Sequence, residues 1–99
     1  MDQIIREAIE NRRVLEFQYD GGPRIVEPFC YGIGKTGKHL LRGYQTAGYS
    51  SSGNPVGWRL FDLAKMSAVS ATSVSFLGDR PEYVQNDSAM VHIFSCVQG

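Results

Sequence analysis

Residues 15–31 read LEFQYDGGPRIVEPFCY, and this stretch decides the fold. Apolar and polar side chains alternate over residues 15–19, which is the period of a half-buried β-strand. The Asp-Gly-Gly-Pro sequence at 20–23 is typical of a tight turn, so the chain is predicted to return as the second strand of a hairpin. This second strand covers about residues 24–31. It is expected to bend, or to lie at an edge, near Pro28, because proline donates no ladder hydrogen bond.

An amphipathic helix is predicted before the hairpin, over residues 2–13, with Asp2 as its N-cap. The charged residues of this helix are interpreted as a solvated face, and no function is assigned to them. The apolar residues that recur at helical spacing along the other side are Ile4, Ile5, Ala8 and Ile9.

The sequence after the hairpin predicts more strands joined by loops. Residues 47–57 and 77–88 are predicted to be loops, the first of them rich in glycine and serine. Nine of the eleven glycines lie between positions 21 and 57, which favours the tightly turned strands of a small barrel. The predicted strands cover about residues 39–46, 58–63, 66–76 and 89–97.

A chain of 99 residues is long enough for one compact domain and too short for two. We therefore expect a single domain over residues 1–99 that is mainly β with one N-terminal helix. Its predicted parts are a helix over 2–13, barrel strands over about 14–76 and a C-terminal strand over about 89–97.

The composition indicates a cytoplasmic protein that does not associate with membranes. No stretch approaches the roughly 20 apolar residues of a membrane span, and the N-terminus lacks the apolar block of a signal peptide. Cys30 and Cys96 lie far apart and have no neighbouring cysteine or histidine at metal-ligand spacing. They are predicted to be reduced thiols, with neither a disulfide nor a metal, and no cofactor is predicted.

The positive charges cluster although the formal net charge is zero. Residues 28–61 contain no aspartate or glutamate. The local field, more than the net charge, decides whether an anionic partner is attracted, so this region is favoured as a binding surface. Its basic residues are Lys35, Lys38, His39, Arg42 and Arg59.

Several motifs follow one another in a recognisable order. A helix ending in Arg-Arg and the strand at 15–19 are followed by RIVEP at 24–28, HLLRGY at 39–44 and RLFDLAKM at 59–66. In this order the chain resembles a WYL domain over about residues 2–83, and Arg-x-Val-Glu-Pro is the most specific element. The resemblance implies an Sm-like or SH3-like barrel preceded by a helix.

The resemblance also implies a ligand-sensing or nucleic-acid-binding module, of the kind found in bacterial transcription factors and in proteins of CRISPR and phage defence. The chain is expected to be a stand-alone, divergent member. His39, Leu40 and Leu41 stand where the family has Trp-Tyr-Leu, and Asp62 and Lys65 replace arginines of the family pattern. The tyrosine and one arginine of the family's usual ligand surface are therefore absent.

Strand alternation puts Arg42 and Tyr44 together on one face of the predicted third strand. An arginine beside an aromatic ring grips a phosphate and stacks a base; the alternative is that Tyr44 covers the barrel and Arg42 is solvated. Trp58 is interpreted either as a stacking residue or as a plug at the barrel end. Asp62 accepts hydrogen bonds from a base edge or pairs with Arg42. The candidate ligand residues are Arg24, Lys35, Lys38, His39, Arg42, Tyr44, Trp58, Arg59 and Asp62.

No catalytic role is predicted, because neither histidine lies at a recognisable spacing from a nucleophile. We expect instead a non-catalytic regulatory module that binds a single-stranded nucleic acid or a nucleotide-like anion. The alternative is a protein-interaction or self-assembly module, which uses exposed strand edges to form a homo-oligomer or to bind a partner protein.

Overall fold

One helix precedes six strands in the computed structural model, which describes residues 1–98. The chain is mainly β with one N-terminal helix, as predicted. The helix ends earlier than expected, because Arg12 adopts a left-handed conformation (φ 54°) and its N–H donates to Ala8 O and Ile9 O. The elements are α1 Asp2–Asn11, β1 Arg13–Tyr19, β2 Gly22–Ile33, β3 His39–Gly48, β4 Gly57–Asp62, a 3₁₀ helix Leu63–Lys65, β5 Ser67–Ser75 and β6 His92–Cys96.

The predicted hairpin forms between β1 and β2. Tyr19 pairs with Gly22, so Asp20 and Gly21 make a two-residue turn. Both turn residues have positive φ, 39° and 101°, which is the conformation that Asp-Gly adopts readily in tight hairpins. The second strand therefore begins at Gly22, earlier than predicted.

The strand β2 is the centre of an open antiparallel sheet with the order β4-β3-β2-β1-β5. It is 12 residues long, so its first half pairs with β1 and its second half with β6, while β3 runs along the opposite side. The ladder between β2 and β3 shifts register between Pro28 and Cys30, which is the irregularity predicted at Pro28. On the side of β2 away from β3, Pro28 lies between the residues paired with β1, which end at Val26, and those paired with β6, which begin at Cys30, so it has no ladder partner there.

The strands β4 and β5 form the two ends of the sheet. The ladder between β5 and β1 contains register shifts, and Ala68 has a φ of 53°. Irregularities of this kind make a strand edge a poorer template for another strand.

The main core lies between α1 and the inner face of the sheet. Ile5 and Ile9 are buried there together with residues of β1, β3 and β4. The Phe61 ring packs edge-to-face against Phe17 and Tyr19, with centroids 5.0 Å apart in each pair. This packing determines which side chains of β3 and β4 face outwards.

Residues 77–91, here named the covering segment, form neither helix nor strand, as predicted for 77–88. Backbone hydrogen bonds hold its two ends. Phe76 N–H donates to Arg12 O at 3.0 Å, and Val91 N–H donates to Ile33 O at 2.8 Å. The chain is therefore anchored just before the covering segment to Arg12, which directly follows α1, and at the end of the segment to β2.

An aromatic cluster that is continuous with the main core lies beneath the covering segment. The buried Phe29 ring has its centroid 4.8 Å from those of Trp58 and Tyr83, and 5.4 Å from that of Phe76. Because Tyr83 belongs to the covering segment and Trp58 to β4, this cluster packs the segment onto the sheet.

A disulfide joins Cys30 of β2 to Cys96 of β6. The two residues pair directly across the ladder, with Cα atoms 4.2 Å apart. The prediction of two reduced thiols is wrong, because the sequence separation of 66 gave no sign of the register that brings the cysteines together.

Candidate ligand-binding site

Arg42 and Tyr44 lie on the outer face of β3, opposite the side on which Leu41 is buried. On the neighbouring strand β4, Leu60 pairs with Arg42, and Trp58 pairs with Tyr44. Directly paired residues of antiparallel strands share a face, so Trp58 joins the other two there. The alternation predicted for β3 is confirmed.

Two residues of the covering segment, Asp87 and Arg80, contact Arg42 and Tyr44 on the outer face of the sheet. Asp87 accepts hydrogen bonds from Arg42 Nε at 2.7 Å and from Arg42 Nη2 at 3.4 Å. The Arg80 guanidinium carbon lies 4.3 Å from the centroid of the Tyr44 ring, and Arg80 donates to both carboxylate oxygens of Glu27, at 2.8 and 2.9 Å. Both carboxylates are buried, so these two charge-assisted contacts clamp the segment onto the sheet.

Trp58 is also in contact with the covering segment. Its indole N–H donates to Pro81 O at 3.0 Å, and its ring is nearly parallel to that of Tyr83, with centroids 6.2 Å apart. The rings of Phe29 and Tyr44 meet it edge-on. Trp58 remains partly exposed, so it forms a fixed wall of the outer face.

The ion pair with Arg42 requires that the Asp87 carboxyl is ionised. Burial by itself would raise the pKa of this carboxyl. The hydrogen bond from Arg42, the amide of Ala89 at 2.9 Å and the charge of Arg42 together outweigh burial and lower the pKa of Asp87. The carboxylate therefore stays ionised at neutral pH and keeps Arg42 in place.

A cavity of about 260 Å³ remains between the outer face and the covering segment. Arg42 Nη1 and the side chains of Asn86 and Ser88 have no hydrogen-bond partner within residues 1–98, so they are available to a ligand. Glu82 has a φ of 69°, a conformation that is strained for a non-glycine residue and that concentrates at functional sites. The lining side chains are Arg42, Trp58, Glu82, Val84, Asn86, Asp87 and Ser88.

Acidification is expected to loosen the covering segment, because the pKa of Asp87 is lower in the folded chain than in the unfolded one. The stabilisation is complete above the unfolded aspartate pKa of about 3.9 and is lost as the pH falls through the lower folded pKa. Trp58 is the only tryptophan, so its fluorescence should change over this acid range. Asp87→Asn should abolish the change.

The matched control for this experiment is Asp2→Asn. The hydrogen bond from Arg6 lowers the pKa of Asp2 as well, but Asp2 lies on α1 and makes no hydrogen bond to the covering segment within residues 1–98. The acid transition of Trp58 should therefore survive in Asp2→Asn. A transition that is unchanged in Asp87→Asn would contradict the role given to Asp87.

Arg24 is buried in the interior and does not reach the outer face. It is 5% exposed and donates to Gln45 Oε1 at 3.2 Å and to Tyr19 O at 3.3 Å. The rings of Tyr19 and Tyr49 lie 5.3 and 5.4 Å from its guanidinium carbon. This corrects the expectation that Arg24 contributes to a ligand surface, because a buried guanidinium that is already engaged does not meet a ligand.

Arg59 also faces away from Arg42. It pairs with Gly43, one position along the ladder, and therefore lies on the other face of the sheet. Its guanidinium donates to Trp58 O at 3.0 Å and to Asn54 O. Of the three arginines among the candidate ligand residues, Arg42 alone lies on the outer face, because Arg24 and Arg59 are engaged by acceptors elsewhere in the chain.

Lys38, His39 and Asp62 meet at a second cavity, of about 500 Å³, beside the start of α1. Lys38 Nζ lies 3.6 Å from Asp62 Oδ2, and His39 Nδ1 lies 2.8 Å from the hydroxyl of the buried Tyr31. Burial, followed by the nearby Asp2 carboxylate, raises the pKa of Tyr31. The partner of Asp62 is thus Lys38, and not Arg42 as one interpretation expected.

The sequence missed the residues of the covering segment that complete the first cavity. Asp87 lies 45 positions from Arg42, and Arg80 lies 53 positions from Glu27. The sequence contains one indication of these residues, which is that the predicted loop at 77–88 contains charged and aromatic side chains but has no strand or helix period. The remaining predicted residue, Lys35, is exposed in the turn between β2 and β3 and lines neither cavity.

Two kinds of feature are absent from residues 1–98. No helix there has the length and apolar character needed to cross a membrane. No group of three or more histidine, cysteine, aspartate or glutamate side chains in the same part of the chain is arranged to hold a metal ion.

Comparisons with protein-family models, with curated proteins and with solved structures found no match to this chain. The resemblance to WYL domains therefore stays a prediction that depends on the motifs quoted above. The function has to be inferred from the geometry of the site.

Proposed function

We propose that this chain is a non-catalytic, ligand-sensing regulatory domain whose cavity at Arg42 and Trp58 binds a small nucleotide-like molecule. The observation that carries the proposal is that a guanidinium and an indole line one cavity. A guanidinium binds phosphate or a base edge, and an indole stacks on a base. Asn86 and Ser88 add an amide and a hydroxyl that fit the hydrogen-bonding edge of a base.

The size and charge of the cavity favour a nucleotide or nucleoside over a nucleic acid strand. A volume of about 260 Å³ lies near the lower limit of small-molecule sites, which is about 300 Å³. A strand requires a continuous basic groove, whereas the other arginines of the middle strands are engaged within the chain. Asp87 and Glu82 offset the charge of Arg42, so the base is expected to contribute more to affinity than the phosphate.

We also propose that the fold is a divergent WYL domain with a small barrel of the Sm-like or SH3-like type. The hairpin with Arg-x-Val-Glu-Pro at 24–28 and the irregular central strand β2, which pairs with three other strands, support this proposal. Glu27 of the same motif binds Arg80, so the motif helps to hold the covering segment over the cavity. The resemblance implies regulation of bacterial transcription or phage defence.

Adenosine monophosphate is expected to change the fluorescence of Trp58 in a saturable titration. Arg42→Gln should weaken binding at least about tenfold, or about 1.4 kcal/mol, because the planar donor is lost. Lys35→Gln removes a positive charge outside both cavities and is the matched control. The same titration with adenosine separates recognition of the base from recognition of the phosphate.

Two more variants are needed because Arg42→Gln also removes the partner of Asp87. Asn86→Ala and Ser88→Ala leave that ion pair intact and should still weaken binding. Equal affinity in Arg42→Gln and Lys35→Gln, or no response at millimolar nucleotide, would overturn the proposal. A steeply salt-dependent response to a short single-stranded DNA, weakened by Lys35→Gln, would overturn it in favour of a strand-binding surface.

A further inference from the structure

The Cys30–Cys96 disulfide lies next to the ligand cavity and beneath the covering segment. Cys30 is the ladder partner of Arg42, so the disulfide and the cavity arginine are neighbours on adjacent strands. Cys30 Sγ also lies 3.6 Å from the hydroxyl of Tyr83, whose ring faces Trp58. One residue of the covering segment therefore contacts both the disulfide and a wall of the cavity.

The two sulfur atoms differ in access from solvent. Cys30 is 0% exposed, whereas Cys96 is partly exposed and lines a surface cavity of about 330 Å³ between α1 and β6. A thiolate has to approach one sulfur atom of a disulfide directly in order to exchange with it. Cys96 is consequently the sulfur open to attack, and Cys30 is the leaving group.

We propose that Cys30–Cys96 is a site of thiol–disulfide exchange that controls the covering segment and, through it, the ligand cavity. The thiolate of a low-molecular-weight thiol attacks Cys96 Sγ and forms a mixed disulfide, while the Cys30–Cys96 bond breaks. The electron pair leaves on Cys30 Sγ, which takes a proton from water. A second thiolate attacks the mixed disulfide at the sulfur of the small thiol, which releases the oxidised small disulfide and leaves Cys96 as a thiol after protonation.

Tyr83 transmits this change to the covering segment. Its hydroxyl donates to Val97 O at 2.6 Å in the oxidised chain. Burial, followed by the charge of Asp87, raises the pKa of Tyr83, so the hydroxyl keeps its proton. Reduction gives Cys30 an S–H group, which the disulfide lacks and which can donate to the nearby Tyr83 hydroxyl oxygen. When Tyr83 turns towards the sulfur, its packing against Trp58 changes.

The first test uses glutathione as the thiol. The oxidised wild-type chain is exposed briefly, quenched with acid and mapped by mass spectrometry. The mixed disulfide is expected on Cys96 at least about tenfold more often than on Cys30. Equal modification of the two cysteines would overturn the proposed direction of attack.

The second test measures hydrogen exchange of backbone amides in the oxidised and fully reduced chain. Reduction should accelerate exchange in residues 77–91 at least about tenfold more than in the β1–β2 hairpin. Tyr83→Phe keeps the ring but lacks the hydroxyl, so its covering segment should exchange quickly in both redox states. A covering segment that does not respond to reduction would overturn the proposal.

The effect on the ligand cavity rests on the proposed function, so a third measurement separates the two. The affinity for adenosine monophosphate is measured in both redox states and should differ at least about threefold. Faster exchange in 77–91 with no nucleotide binding in either state rejects the ligand proposal alone. Nucleotide binding of equal strength in both states rejects the redox coupling alone.

Discussion

Reduction of the Cys30–Cys96 disulfide is expected to lower the free energy of unfolding by about 4 kcal/mol at 25 °C. The cross-link joins residues 66 positions apart, so it removes much of the conformational freedom of the unfolded chain. Small domains have a total stability of only about 5–15 kcal/mol, so this loss is a large share of the whole. Urea unfolding followed by Trp58 fluorescence, with and without a phosphine reductant, measures the difference.

The control for this prediction is the double variant Cys30→Ser with Cys96→Ser. It should unfold at the same urea concentration as the reduced wild type and should not respond to the reductant. Identical midpoints for oxidised and reduced wild type would show that the cross-link contributes nothing. Two titratable thiols in the untreated folded chain would contradict the disulfide itself.

Phe29→Ala is expected to lower the free energy of unfolding by about 3–5 kcal/mol. Phe29 is fully buried and packs against Trp58, Phe76 and Tyr83. Its removal leaves a cavity between the sheet and the covering segment, because Phe29 fills the space between Trp58, Phe76 and Tyr83. Chemical unfolding of the oxidised variant measures the decrease in the free energy of unfolding. Near-ultraviolet circular dichroism reports whether the Trp58 ring becomes less rigidly packed when its contact with Phe29 is removed.

Phe29→Leu is the matched control, because it keeps an apolar side chain at the same position. It should cost no more than about 1.5 kcal/mol. If Phe29 were exposed, Phe29→Ala would lower the free energy of unfolding by less than about 1 kcal/mol. Such a result would mean that the covering segment does not pack on the outer face of the sheet.

The helix, the first hairpin and the alternation of side chains along β3 could be predicted from the sequence because local periodicity determines them. The alternation around Phe17 predicted β1, and the Asp20-Gly21 turn predicted the return strand. The same alternation put Arg42 and Tyr44 on one face of β3, and the burial of Leu41 on the opposite face identifies theirs as the outer one. In each of these cases the information lies within a few residues of the feature it predicts.

The rest of the site could not be predicted because it depends on contacts between distant parts of the chain. Residues 28–61 contain no acidic side chain, which suggested an uncompensated basic surface. Asp87 and Asp62, which lie outside that range, form ion pairs with Arg42 and Lys38 inside it. Composition counts charges along the sequence, whereas the electrostatic field depends on their positions in space.

The disulfide was missed for a related reason. Cys30 and Cys96 meet because β6 returns beside the second half of β2, a part of the sheet that β1 is too short to cover. Neither strand carries a local signal of that pairing. The covering segment has no strand or helix period, so its role in closing the cavity depends on packing around Tyr83 and Phe29 that only the tertiary fold defines.

The most direct test of the ligand cavity is a nuclear magnetic resonance titration of the ¹⁵N-labelled, oxidised chain with adenosine monophosphate. Trp58 gives the single indole N–H resonance of the protein, so it reports on one wall without ambiguity. The indole resonance and the amides of Arg42 and of residues 82–88 should shift together and saturate, while the amides of Lys35 and Lys38 stay in place. Shifts confined to the lysine turn, or none at millimolar nucleotide, would contradict a nucleotide site between the outer face and the covering segment.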